Sequence, residues 1–437
     1  MYAAPPIHED LFPRAAAYRK LIHPDELNET PARYFPYSER HLQALWYDDR
    51  LRPPALKTSR GEAVTVENPG RWNLEAGPDF AGAVLLIGRE RRRVCGDAEV
   101  HISPADWKHH GHAADPRYSN VRFHITWFAG GEKIFPDNSI HIVLGETCAA
   151  DLESIDTGAY PYQQPNARRR FPALGTTPDE ITGVLEAAGE ERLRQKTRRI
   201  AWLISERGGA PALYEETAGA LGYKYNKAPF RQLARKLPLA ALNERYGADW
   251  QTVYAVLLGL SGLLPKQPAA GWTAESKEEL RRLWDCWWRE EQRWEDVAPV
   301  NKKEWRLAGV RPLNHPVRRL CALAQWIAGG AFENAALFTS FQKSFWSNHT
   351  GWTGKETPAE LAGKDRLNAI ELNVLVPYRL ANGDSSALKN LPAEPLNSII
   401  RETAAALFGA DHSPKLYRTA LARQGLIQLF NDLIAGR

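Results

Sequence analysis

Five short runs rich in β-branched and aromatic residues lie between Ala63 and Leu144, and the long runs with helical periodicity follow Thr177. Ala63–Val66, Ala81–Ile87, Val94–Ile102, Val121–Phe128 and Ile140–Leu144 are bounded by glycine, proline or charged turns, the pattern of strands. Before them, Ser38 to Trp46 reads as a helix, with Ser38 as cap and Leu42, Leu45 and Trp46 on one apolar face. The implied order is helix, three strands, a short irregular or helical stretch, then another strand. Residues 1–36, rich in proline and polar side chains, read as an arm on the surface. The fold class is therefore α+β, with a mixed α/β part at the N-terminus and an all-α part after it.

The character changes near Tyr162. Residues 163–166 form a linker candidate, and Arg168, Arg169 and Arg170 follow. Thr177-Pro178-Asp179-Glu180 is a helix start, with a threonine cap, proline in the first turn and acids beside it. This helix should reach Arg207 and stop at Gly208-Gly209. Further helices are expected at 211–221, 229–236, 249–260, 275–294, 316–328, 332–345, 396–407 and 415–435, with Trp284, Trp287, Trp288, Trp294 and Trp305 in their core. A chain of 437 residues is too long for one ordinary core. The expected domains are 1–162 and 163–437.

Cys95, Cys148, Cys286 and Cys321 are scattered, which fits a reducing compartment and excludes a CxxC zinc site. No run approaches the ~18 apolar residues of a membrane span, and the N-terminus lacks the pattern of a secretory signal. A cytoplasmic location is expected. The net charge of +4 decides little. From Pro165 to Lys236, however, 14 Lys and Arg stand against 8 Asp and Glu. Arg192, Lys196 and Arg199 recur at helical spacing there, and 211–237 has a helix–turn–helix look. Such a segment could follow a nucleic-acid backbone or simply face water.

The chemistry concentrates earlier. In Gly96-Asp97-Ala98-Glu99-Val100-His101, alternation along a strand would project Asp97, Glu99 and His101 from one side. Three such groups cannot face an apolar core without a large desolvation cost, so that face is wet or binds a cation. Asp79, after Gly77-Pro78, could stand opposite Glu99, and two close carboxylates call for a cation or a shared proton between them. Six of the twelve histidines, His101, His109, His110, His112, His124 and His141, fall in the same region. His109, His141 and the more distant His41 read as structural. His110, His112 and His124, with Asp115, are further metal ligands or their supports.

Pro78-Asp79 followed by Glu99-Val100-His101 resembles the PD-(D/E)XK nuclease superfamily over residues 38–128, with histidine where the final lysine usually stands. The resemblance implies a restriction-endonuclease-like αβββαβ core. It also implies Asp79 and Glu99 as metal ligands with the Val100 carbonyl as a third, and Glu39 on the first helix as an auxiliary acid. The pattern Gly77-Pro78-Asp79-Phe80, Gly96 to His101, Asp106-Trp107, His110-Gly111-His112, Asp115, Tyr118, Asn120 and His124 also resembles a bacterial family of unknown function over most of the chain.

Three functional expectations follow. The first is a Mg²⁺- or Mn²⁺-dependent nuclease with His101 acting on the water, Glu39 and Asp97 assisting, and Arg168, Arg169, Arg170, Arg192, Lys196 and Arg199 holding DNA or RNA by its phosphates. The second is a Zn²⁺ or other transition-metal hydrolase built on His101, His110, His112 and His124. The third is an inactive nuclease fold that only binds nucleic acid or a protein.

Overall fold

The structure, a computed structural model, describes residues 7–22, 33–74, 77–110, 112, 115–130, 139–160, 175, 177–223, 225–353, 358–409 and 411–435. It is mixed α/β, with a sheet before residue 160 and mostly helices after 177. Arg168, Arg169 and Arg170 and the linker at 163–166 lie outside the described residues.

Two helices open the chain, α1 (Ala15–Ile22) and α2 (Glu39–Tyr47). The strands that follow are β1 (Leu56–Lys57), β2 (Ala63–Asn68), β3 (Arg71–Trp72), β4 (Phe80–Ile87) and β5 (Arg92–His101). A four-residue helix, α3 (Asp106–His109), then leads to β6 (Val121–Thr126) and β7 (Ile140–Val143). The strand path runs β1-β2-β4-β5-β6-β7, with β3 beside β4. Pairing is antiparallel as far as β5, then parallel from β5 to β6 and from β6 to β7. Two-residue strands β1 and β3 supplement the three runs expected before α3. Thr58 bridges Ile142, and the Ser59 N–H donates to the His141 carbonyl at 2.8 Å, so the two ends of the path touch.

The apolar face of α2 covers one side of the sheet. Leu42, Leu45 and Trp46 are fully buried, as expected, against Phe80, Leu85, Ala98, Val100 and Phe123. Because side chains alternate, Glu99 and His101 leave β5 on the opposite side from Ala98 and Val100. They are nonetheless buried.

By contacts the described chain divides into two units, and not at residue 162. One comprises Phe12–Arg192 with Leu396–Arg437, the other Leu193–Pro395 with the segment ending at Leu11. The closing helices return to the first unit: Ser398–Phe408 and Ala420–Leu429 share a core with Ile181, Leu185 and Tyr18. Gly189 and Gly425 allow the close crossing. A Cβ at Gly189 would lie 2.1 Å from the Leu421 carbonyl oxygen, and one at Gly425 would lie 1.9 Å from that of Leu185. Residues 12–22 are therefore no surface arm. Phe12 and Tyr18 are buried, and the Tyr18 hydroxyl donates to Asp432 Oδ2 at 2.6 Å.

In the second unit most expected helices are present, among them Gly209–Leu221, Lys227–Lys236, Trp250–Leu260, Ala274–Glu290 and Pro316–Ala328. The expected helix at 332–345 is instead a turn of 3₁₀ helix, Ala335–Thr339, and a short helix, Phe345–Asn348. There the Asn334 side chain accepts from the Ala336 N–H at 3.2 Å, a local bond that competes with helix propagation. Two helical stretches were not anticipated, Leu239–Tyr246 and the run from Lys364 to Ala381. In the latter a π turn at Glu371–Leu375 precedes Pro377, whose missing N–H disguises the helix in sequence. Of the tryptophans, Trp287, Trp294 and Trp305 are buried as expected, but Trp288 is 60% exposed and stacks on Trp284. Trp326 and Trp346, each 1% exposed, take the central places.

Candidate metal centre

The parallel pairing of β5 with β6 sets Glu99 opposite His124 and His101 opposite Thr126, and β7 brings His141 beside His124. Trp107 on α3 closes over this side of the sheet, its ring 5.4 Å from both the His112 and His124 rings. Tyr118 stacks on His112 at 3.9 Å. These contacts turn a face that would otherwise be wet into a half-closed pocket of imidazoles around one carboxylate.

Three donor atoms converge. Glu99 Oε1 is 3.1 Å from His112 Nε2 and 3.6 Å from His101 Nε2, and the two histidine nitrogens are 3.2 Å apart. His110 joins them, with a ring nitrogen of each of His101, His110 and His112 within 4.8 Å of the others. His101 is fully buried, Glu99 is 5% and His112 9% exposed, and His110 is exposed, so the cluster opens to solvent on the His110 side. Burial raises the Glu99 carboxyl to about 8, against only a backbone N–H from Asp79. Burial likewise lowers His101 and His112, and it holds His124 at about 3. Neutral imidazoles around a carboxyl that resists ionisation form a donor set that a cation would compensate.

Asp79, which the resemblance implied as a metal ligand, is bonded to its neighbours on both carboxylate oxygens. Its Oδ1 accepts from Gln43 Nε2 at 2.9 Å and its Oδ2 from the Val100 N–H at 3.0 Å, while its own N–H donates to Glu99 Oε2 at 2.9 Å. Asp79 thus braces Glu99 and faces the charge of buried Arg40. Its carboxyl is raised well above the usual range by burial and by Glu99. Val100 meets Asp79 through its N–H. Gln43, one turn beyond Glu39, is the α2 side chain bonded to that carboxylate.

Asp97 follows the same alternation along β5 as Glu99 and His101 but bonds the neighbouring strand and loop rather than the histidine cluster. The β5–β6 register shifts between Asp97 and Ala98. Asp97 accepts instead from the Gly82 N–H at 2.9 Å and from Asn120 Nδ2 at 3.0 Å. Gly82, at φ +69°, lies in an irregularity of the β4–β5 ladder that a residue with a Cβ would strain. Asp115 caps the short turn at Pro116–Tyr118, and its bonds to Arg117 hold it near 2. His124 reaches the cluster through His101 Nδ1 at 2.7 Å. His141, read as structural in the sequence, has its Nε2 2.7 Å from Thr126 Oγ1.

The cations expected along one exposed helix face are engaged within the protein. Arg192 donates to Gln424 at 3.0 Å and Lys196 to Asn373. Arg199, 6% exposed, pairs with buried Glu216 at 2.5 Å. In the helix–turn–helix segment buried Arg231 also pairs with Glu216, and Arg235, which stays exposed, pairs with Glu215.

Of the residues singled out in the sequence, Glu99, His101, His110 and His112 come together, while the support of Asp79 by Gln43 and the closure by Trp107 were not anticipated. No curated protein and no solved structure matches the chain. A family profile does match, over residues 39–402, which include α2, the sheet with its histidine cluster and most of the helical part. The chain belongs to this family, described as protein of unknown function DUF2851.

Proposed function

We propose that the chain is a transition-metal-dependent hydrolase, with Glu99, His101 and His112 as metal ligands and His110 at the open side. One observation carries this reading. Four ligands about 2.0–2.1 Å from a tetrahedral ion stand about 3.3–3.4 Å from one another, and the three measured separations are 3.1, 3.2 and 3.6 Å. A donor set of nitrogens with one oxygen suits Zn²⁺ or a neighbouring transition ion better than Mg²⁺, which takes oxygens in an octahedron. When bound, such an ion acts as a Lewis acid and lowers the pKa of a coordinated water. The chain's own residues supply the rest. Asp79, Gln43 and the Val100 N–H fix Glu99, Trp107 and Tyr118 exclude water from the inner side, and exposed His110 faces the substrate's approach.

The Mg²⁺- or Mn²⁺-dependent nuclease remains a second reading. It is supported by the order α2, β2, β4, β5, α3 and β6, which has the αβββαβ form once the two-residue strands β1 and β3 are set aside, and by the bond from the Asp79 N–H to Glu99. DNA or RNA would then be the substrate.

Metal analysis of the chain purified without chelator or affinity nickel tests both. About one transition ion per chain, lost in His112→Ala and in Glu99→Gln, is expected for a centre of this type. Cleavage of single- and double-stranded DNA and RNA is then compared with added Zn²⁺, Mn²⁺ or Mg²⁺. A chain that retains no transition ion but cleaves with Mg²⁺, dependent on Asp79, would replace the first reading by the second. No retained ion and no cleavage would leave an inactive binding fold.

A further inference from the structure

We infer that His124 is a positioning residue of this centre, fixing the proton of His101 on Nδ1 so that Nε2 is bare for the ion; the inference rests on Glu99, His101 and His112 being metal ligands. An imidazole binds a metal through an unprotonated nitrogen, and the partner of its other nitrogen decides which one that is. His101 Nε2 points at Glu99 Oε1 and His112 Nε2, while His101 Nδ1 lies 2.7 Å from His124 Nε2. Both rings are fully buried, so water does not take over this bond.

Between two neutral rings at that distance one nitrogen donates and the other accepts. If His124 donated, the single proton of His101 would sit on Nε2, directed into the carboxylate and His112, and no ion could enter. If His101 donates through Nδ1, Nε2 is free. His124 must then accept at Nε2 and carry its own proton on Nδ1.

The strands hold the neighbouring protons in order as well. The Thr126 hydroxyl donates to the Phe128 carbonyl at 2.7 Å, which spends its one hydrogen. Its 2.7 Å contact with His141 Nε2 is therefore a bond it accepts, which places the His141 proton on Nε2. Thr126 is the register partner of His101, and His141 that of His124. The same ladder that aligns the strands thus fixes the rings on both sides of His124.

An imidazole in this position differs from the carboxylate that often supports a metal-bound histidine. It orients the ring without adding charge. Glu99 would then be the single anion among the proposed ligands, and the ion would keep more of its Lewis acidity.

The full-length chain is loaded with Co²⁺, and its affinity is measured by competition with a chelator, together with the visible absorption of the bound ion. His124→Leu removes the acceptor. His124→Gln returns one, because the glutamine amide oxygen can reach about where Nε2 stood. Leucine should weaken Co²⁺ binding about 10–100-fold, the usual effect of losing such a support, and should alter the absorption bands. Glutamine should restore both to near the wild-type values. On the wild-type chain, ¹⁵N spectra of labelled histidine in the Zn²⁺ form should show His101 protonated at Nδ1, its signal assigned by its loss in His101→Gln. This measurement decides the matter even where His124→Leu does not fold. A His101 ring protonated at Nε2, or a folded leucine variant that binds Co²⁺ as the wild type does, overturns the inference and leaves the metal centre standing. A wild-type chain that takes up neither ion overturns the metal reading, and the inference with it.

Discussion

Glu216→Ala should be severely destabilising. Glu216 is 4% exposed and bonds two arginines that are themselves buried, Arg199 at 6% and Arg231 at 3%. The alanine leaves two guanidinium groups in the interior without their counter-charge, which costs about 3–5 kcal/mol. With a urea m-value of about 2–3 kcal/mol/M, the midpoint of the transition followed by tryptophan fluorescence should fall by about 1–2.5 M. The sign with pH follows from the shift. The two arginines hold the Glu216 carboxyl well below its ordinary value of 4.5 despite the opposing effect of burial. Its contribution is therefore complete above that ordinary value and is lost as pH falls through the depressed one. Wild type and variant should accordingly differ by a constant amount near neutrality and converge in acid. A midpoint shift below about 0.3 M, or a difference that grows on acidification, would refute the ion triad as a stabilising element.

Two further changes separate readings of the structure. Tyr18→Ala should cost about 3–5 kcal/mol, the range for emptying a buried aromatic site, whereas a residue of a surface arm would cost under about 0.5 kcal/mol; urea denaturation distinguishes them. Asp97→Ala should lower stability by about 1–3 kcal/mol, because the Gly82 N–H and Asn120 lose their acceptor. Metal content should stay unchanged, and a loss of the ion in this variant would return Asp97 to the site.

The strands and most helices were legible because their signals are local: β-branched runs between turns, and a cap such as Thr177-Pro178. The Glu180 N–H indeed bonds Thr177 Oγ1 at 3.3 Å. The pairing of Glu99 with His101 on one face was also legible from alternation alone. What failed was what depends on distant partners. Asp97 bonds the Gly82 N–H and Asn120, partners that the pairing of β5 with β4 and β6 sets and that its own strand does not reveal. Arg199 reads as a solvated cation until Glu216 is seen beside it. Tyr18 lies in a proline-rich stretch whose burial depends on helices almost four hundred residues later. Asp79 was rightly placed near Glu99, but which of its atoms are already engaged depends on Gln43 and the Val100 N–H.

The bridge from Thr58 to Ile142, with the Ser59 bond beside it, has a consequence for how the chain behaves in a crowded solution. A sheet that ends in an open strand offers a row of unpaired amides on which a second molecule can extend it, the first step towards aggregation. Here the apolar β7 backbone meets the beginning of its own sheet at that point. The turn after the short β1 acts as a stopper, occupying the His141 carbonyl of β7 that a neighbouring molecule would otherwise claim.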